Sequence, residues 1–316
     1  MKKHLNTLFV TTEGAYLNKE GETVVVSVER EKKLQIPIHT LDGIVCFGRV
    51  TCSPYLMGFC AEKDVAISFL SKYGRFLARV QGPVSGNVLL RREQYRQADS
   101  GEDSARLAHA VLVGKLANSR TVLQRTVRDH GGKVDADAIQ KAADHISALL
   151  KSIRADMPLN TLRGMEGDAA RVYFEVFDHL IVNKGNGFTF KGRNRRPPLD
   201  PINCLLSSIY TLLLHDVRSA LESVGLDSAV GYLHRDRPGR PGLALDMMEE
   251  FRPLIADRLV LSLINRAQAA KGDFLVQETG SIIMADALRK TVLVAYQKRK
   301  QDKIFHPFLE EKVTIG

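Results

Sequence analysis

The sequence predicts an α+β protein of two domains, a small, mostly-β N-terminal domain and a larger all-α C-terminal domain. Three observations predict it. At 316 residues the chain is too long for one small domain. Up to Gly82, short runs of β-branched and aromatic residues alternate with turn formers. Beyond QGPVSGNVLL the apolar spacing lengthens to three or four residues, the period of helices. The expected boundaries are 1–82 for the β domain, 83–90 for a linker marked by Gly82, Pro83 and Gly86, and 91–316 for the helical domain.

TLFVT reads as a first strand, and AYLNKEGETVVVSVE as a strand leading into a hairpin through its polar Lys-Glu-Gly turn. KKLQIPI, GIVCFG, VAISFL and RFLARVQG follow as strands, interrupted by PYLMGFCAEK, a short helix over the sheet. Cys46, Cys52, Cys60 and Cys204 contain no C-x-x-C pair, so free buried thiols are expected. No apolar run reaches the length of a membrane span and the N-terminus lacks the apolar core of a secretory signal, so a cytoplasmic protein is expected. The net charge of +9 favours a polyanionic partner such as nucleic acid.

In the second domain, Leu89–Asn118 and Asp135–Ile153 carry helical spacing, with Asp135 as a cap. Met165–Ile181 is the next helix. At about 100° per residue, Glu166 shares a face with Ala169, Ala170, Tyr173, Phe177 and Leu180, a face expected to be buried. A buried carboxylate needs a proton, a cation or a metal; Arg163, one turn earlier, is a candidate partner. Lys191, Arg193, Arg195 and Arg196 then lie in an extended, proline-rich loop suited to phosphate contacts or simply to solvation. Pro201 opens an apolar helix.

Gly231–Pro253, GYLHRDRPGRPGLALDMMEEFRP, is the densest stretch of chemistry. His234 ends an apolar run, a basic Pro/Gly loop follows, and a helix restarts near Leu243 with Asp246 and Glu249 at i, i+3. Those two acids are either a solvated face balanced by Arg252 or part of a site. A final amphipathic helix over Thr279–Lys300 ends in basic residues. Glu166, His234 and Glu249, with Asp246 adjacent, offer hard oxygens and one imidazole, a set suited to Mg²⁺ or Mn²⁺ in phosphodiester chemistry. Two other readings compete: a non-catalytic DNA-binding scaffold bridging DNA and a partner protein, and a hydrolase of small phosphate esters.

RGMEGDAARVYF, FKGRNRRPPLDPINCLLSSIYTLLL, VGYLHRDRPGRPGLALDMMEEFRP and the late basic helix around Lys290 occur in this order, and together they resemble the CRISPR-associated adaptation endonuclease/integrase family. The resemblance covers essentially the whole chain. It implies metal ligation by Glu166, His234 and Glu249, with Asp246 beside the metal, and DNA contacts from Arg163, Arg252, Arg193, Arg195, Arg196 and Lys290. It also implies a homodimer formed through the β domains, and a heterohexamer in which two dimers bind a small ferredoxin-like second adaptation protein. The implied activity is insertion of foreign DNA fragments into a CRISPR array by attack of a 3′-hydroxyl on a repeat phosphodiester, on double-stranded and branched DNA. The loop between His234 and Asp246 departs from the family in its wealth of Arg and Pro.

Overall fold

The structure is a computed structural model in which residues 6–82, 87–195, 197–306 and 310–314 are described. Arg196 and residues 83–86 of the expected linker therefore lie outside the described residues. The chain divides into two compact units: Met1–Gly86 with Glu222–Gly225 and Leu293–Gly316, and Asn87–Leu221 with Leu226–Val292.

In the first unit every strand expected from the sequence forms: β1 (Thr7–Val10), β2 (Tyr16–Glu20), β3 (Thr23–Val28), β4 (Glu31–Pro37), β5 (Gly43–Phe47), a short β6 (Thr51–Cys52), β7 (Ala66–Leu70) and β8 (Phe76–Val80). They make two four-stranded sheets, ordered β1-β5-β7-β8 and β4-β3-β2-β6. β2 and β3 form the expected hairpin, with Glu20 opposite Thr23. Helix α1 (Pro54–Glu62) starts at a proline, and the Ser53 side chain accepts from Leu56 N. It packs on β2 of one sheet and β7 of the other. Leu17, Val24, Ile44, Leu56, Cys60 and Ile67 form the core among these elements. All four cysteines are free thiols; Cys46, Cys60 and Cys204 are buried, as expected, whereas Cys52 is half-buried.

The second unit is helical. α2 (Val88–Asp99) begins inside the expected 83–90 linker because the Asn87 side chain caps it, accepting from Leu89 N and Leu90 N at 2.9 and 3.1 Å. The helix expected over Leu89–Asn118 is in fact two. Ser100 adopts an extended conformation and its side chain caps α3 (Gly101–His130). α4 (Ala136–Ser152) is capped by Asp135, as its sequence implied. α5 (Leu159–Glu175) starts before the expected Met165 and gives way at its end to a 3₁₀ turn, Phe177–Leu180. α6 (Pro201–Ser223) opens at Pro201, and α7 (Gly242–Phe251) one residue before the expected Leu243. A π-helical turn, Arg252–Asp257, joins α7 to α8 (Arg258–Asn265).

Two short hairpins modify the helical C-terminal region. β9 (Phe274–Val276) pairs with β10 (Ile282–Met284), so the helix expected from Thr279 begins only at α9 (Asp286–Gln301). β11 (Lys303–His306) pairs with β12 (Glu311–Thr314). The expected 91–316 boundary also shifts, since Leu293–Gly316 clusters with the N-terminal unit. α3 is the hub that positions the site, packing against α4, α5, α7 and the π-helical turn.

Candidate active site

The segment carrying His234 and helix α7 are held together by glycines. A Cβ on Gly231 would meet the Gly242 carbonyl carbon at 2.6 Å and the Asp246 Oδ2 at 2.7 Å; one on Gly242 would meet the Ala229 carbonyl oxygen at 2.6 Å. Only glycine permits this backbone approach. It delivers three amides to one carboxylate: Tyr232 N and Leu233 N donate to Asp246 Oδ2 at 2.6 and 2.9 Å, and His234 N donates to Oδ1 at 2.9 Å.

Asp246, 1% exposed, also receives the His234 ring at Nδ1, 2.6 Å away. A carboxylate can only accept, so Nδ1 carries the hydrogen and Nε2 is the ring nitrogen left for another partner. That Nε2 lies 3.9 Å from Glu249 Oε1. Asp246 thus fixes the tautomer and aim of the imidazole, in the manner of residues that orient metal-binding histidines.

Glu249 is 2% exposed and pairs with two cations. The Arg252 Nη1, one helical turn on, meets its Oε1, and Lys115 Nζ lies 2.5 Å from its Oε2. The same Lys115 ammonium pairs with Glu166 Oε1 on α5. Burial penalises the Glu249 charge, but Arg252 and Lys115 outweigh it and hold the carboxyl well below its ordinary range. Burial likewise opposes the Lys115 charge, and Glu249 and Glu166 overcome it. Neither acid is a solvated one, so the reading of Asp246 and Glu249 as an exposed face does not hold.

Two expectations for the helix of Glu166 change. Its side chain is 29% exposed, half-buried rather than enclosed. Its partner is Lys115 and not Arg163, which donates from Nε to the Leu233 carbonyl at 2.7 Å and from Nη1 to Asn160 at 3.1 Å. Arg163 therefore ties α5 to the histidine segment. Sequence reading missed Lys115, although the signal was there: it lies on the buried stripe of α3 with Leu112, Leu116 and Ser119. The phase test applied to Glu166 would have found it.

Beside the two acids is a cavity of about 60 Å³ lined by Lys115, Glu166, Arg193, Arg195, Tyr210, Arg252 and Asp257, among others. The Arg193 and Arg252 guanidiniums lie 5.2 and 5.1 Å from the Tyr210 ring centroid, within cation–π range. Tyr210 donates to Asp257 Oδ1 at 2.7 Å. The π-helical turn carries both Arg252 and Asp257 into this cluster, a use often made of such turns. Burial raises the Asp257 carboxyl to about 6 against the hydrogen bond from Tyr210 and the charge of Arg252. Lys290 is exposed on α9 and makes none of these contacts.

Among the described residues, no three His, Cys, Asp or Glu side chains stand close enough together to hold a metal ion. The donor chemistry nevertheless fits one. Glu166 and Glu249 already share a cation, and His234 Nε2 faces the same Glu249 carboxylate.

The family model described as CRISPR associated protein Cas1 matches residues 8–298. The CRISPR-associated endonuclease Cas1 1 of Chlorobaculum tepidum is 55% identical over 316 residues, covering 100% of this chain and 92% of the relative. The CRISPR-associated endonuclease Cas1 2 of Rhodospirillum rubrum is 51% identical over 320 residues, with 100% and 92% covered. The chain belongs to the CRISPR-associated Cas1 family. Its fold is shared by a solved CAS1 protein from Thermotoga maritima, at a TM-score of 0.79 and 24% identity over 93% of this chain and 89% of that one. It is also shared by a casposase solved with its integration product, at a TM-score of 0.80 and 23% identity over 98% and 86%.

Proposed function

We propose that the chain is a metal-dependent DNA endonuclease and integrase that inserts DNA fragments into a CRISPR array by transesterification. The observation that carries this reading is the convergence of Glu166 from α5 and Glu249 from α7 on one cation, with the Asp246-oriented His234 facing Glu249. The relatives named as endonucleases, with 55 and 51% identity, support the same class of activity.

Glu166, Glu249 and His234 Nε2 would hold Mg²⁺ or Mn²⁺. When bound, the ion supplies a Lewis acid that polarises the phosphoryl group and stabilises the leaving oxygen. Asp246 keeps the proton on His234 Nδ1. Arg193 and Arg252 face the adjoining cavity, and the Nε of each is buried without a hydrogen-bond partner among the described residues. Guanidinium donors of this kind suit the non-bridging oxygens of a phosphodiester and hold the backbone for in-line attack.

The duplex backbone would be drawn by the +9 charge. For the assembly, we infer a homodimer formed through the N-terminal unit, where Tyr16, Leu34, Phe76 and Leu77 are exposed on strands, and a small second adaptation protein as partner. Exposed apolar side chains on strands suit such a contact.

Strand transfer of a 3′-hydroxyl fragment into a repeat-bearing plasmid, measured with Mn²⁺ and with EDTA, tests the reading. Glu166→Gln, His234→Ala and Glu249→Gln are each expected to lower joining by at least about a hundredfold. Joining that persists in EDTA, or at the wild-type rate in any of the three variants, would remove that residue or the metal from the mechanism.

A further inference from the structure

Lys115 is assigned no role by the family resemblance, yet it stands at the centre of the site. Its backbone is fixed, because α3 is packed on α4, α5, α7 and the π-helical turn. Its head group is not fixed in the same way, since an ammonium at the end of four methylenes is a compact charge that moves by side-chain rotation. In this structure that charge sits against Glu166 Oε1 and Glu249 Oε2, on the two carboxylates that would hold a divalent ion.

Three carboxylates, Glu166, Glu249 and Asp246, stand here with two cations, Lys115 and Arg252, and the His234 ring. Exchange of the ammonium for a divalent ion adds positive charge to this half-buried group and leaves a free Lys115 head. The cavity of about 60 Å³, which Lys115 already lines together with Arg193 and Arg195, gives that head a place to go. A buried excess of positive charge is costly unless an anion arrives with it, and the anion suited to that cavity is a phosphodiester.

We propose that Lys115 is a resident counter-cation displaced by the divalent metal, and that its displacement couples metal binding to DNA binding. The inference rests on the proposed metal site. In the DNA-free protein, Lys115 competes with the metal; with DNA present, the displaced ammonium finds a phosphate, so the competition weakens. Coupling of this kind is reciprocal: whatever factor DNA adds to metal affinity, metal adds to DNA affinity.

The test is direct titration of Mn²⁺, followed by the electron paramagnetic resonance signal of the free ion. The full-length wild type, Lys115→Met and Glu249→Gln are compared with and without a duplex whose 3′-deoxy ends cannot attack. In the wild type, DNA is expected to tighten Mn²⁺ binding by roughly 5- to 150-fold. Lys115→Met is expected to bind Mn²⁺ at least about tenfold more tightly than wild type without DNA, and to lose most of the DNA-dependent gain. Equal or weaker Mn²⁺ binding by Lys115→Met overturns the proposal. Unchanged Mn²⁺ binding by Glu249→Gln would instead sink the metal site itself, so the two failures are distinguishable.

A wild-type measurement covers the case in which Lys115→Met does not fold. Lys115 is 9% exposed, so amine acetylation read by mass spectrometry should spare it in metal-free protein and reach it once Mn²⁺ saturates. Continued protection at saturating Mn²⁺ means that the ammonium has not left, and the proposal fails.

Discussion

Residues 6–82 and the helical unit bury different things. Within residues 6–82 the buried polar side chains are Thr7, Ser53 and Ser68, none of them charged, and the one buried charge of the first unit among the described residues is Lys300, beside Thr7. The helical unit buries Lys115, Asp246, Glu249, Asp257 and Arg289. The first arrangement draws its stability from apolar area, which is non-directional and tolerant of detail. The second holds ionised groups out of water, which is costly unless each has its partner. Lys115, Asp246, Glu249 and Asp257 all belong to the candidate site, so the buried charge of the helical unit is concentrated there.

Removing one member from each region sharpens that contrast. Glu249→Ala leaves Lys115 and Arg252 without their shared partner and is expected to cost about 3–5 kcal/mol in urea unfolding. Leu17→Ala in the β core is expected to cost about 2–5 kcal/mol through its cavity. The causes separate in double variants: adding Lys115→Met should restore part of the stability lost in Glu249→Ala and none of that lost in Leu17→Ala. Equal recovery in both backgrounds would show that the buried charges are not coupled.

A smaller effect isolates orientation from charge. Asp246→Asn keeps the side chain's shape, but its amide nitrogen replaces an acceptor that serves backbone amides or the His234 ring. Mn²⁺ affinity and strand transfer should fall about 10- to 100-fold. A variant with full metal affinity would show that the imidazole needs no such support.

The smallest effect is a pH dependence confined to the helical unit. The Asp257 carboxyl rises from 3.8 to about 6 in the folded protein. Folding therefore favours its protonated form, so the stability it contributes is complete below the unfolded value and is lost as pH rises through about 6. Asp257→Asn removes that titration. Its stability should fall less than the wild type's between pH 4 and 7, by on the order of 1–3 kcal/mol. Parallel pH profiles would mean that Asp257 stays ionised in the fold.

Much of the candidate site could be read locally. Glu166 stood out as the one acid in phase with the apolar face of its helix, and His234, Asp246 and Glu249 through their order around a Pro/Gly loop. The local reading failed where a partner came from elsewhere in the chain. Arg163 was the nearest cation to Glu166 in sequence, but Lys115, 51 positions away, is the one that meets it.

The sequence by itself determined the strands of the first domain, the capping of α4 by Asp135, the opening of α6 at Pro201 and the loop after His234. These depend on backbone preference and on hydrogen bonds within a few residues. Only the tertiary structure decided that Asp246 gathers three amides, that Arg163 holds the Leu233 carbonyl, and that Lys115 bridges two carboxylates. Periodicity tells which way a side chain faces along its own element; it says nothing of which charge on another helix will stand opposite. In a site built from charges, that opposition decides what the residues can bind.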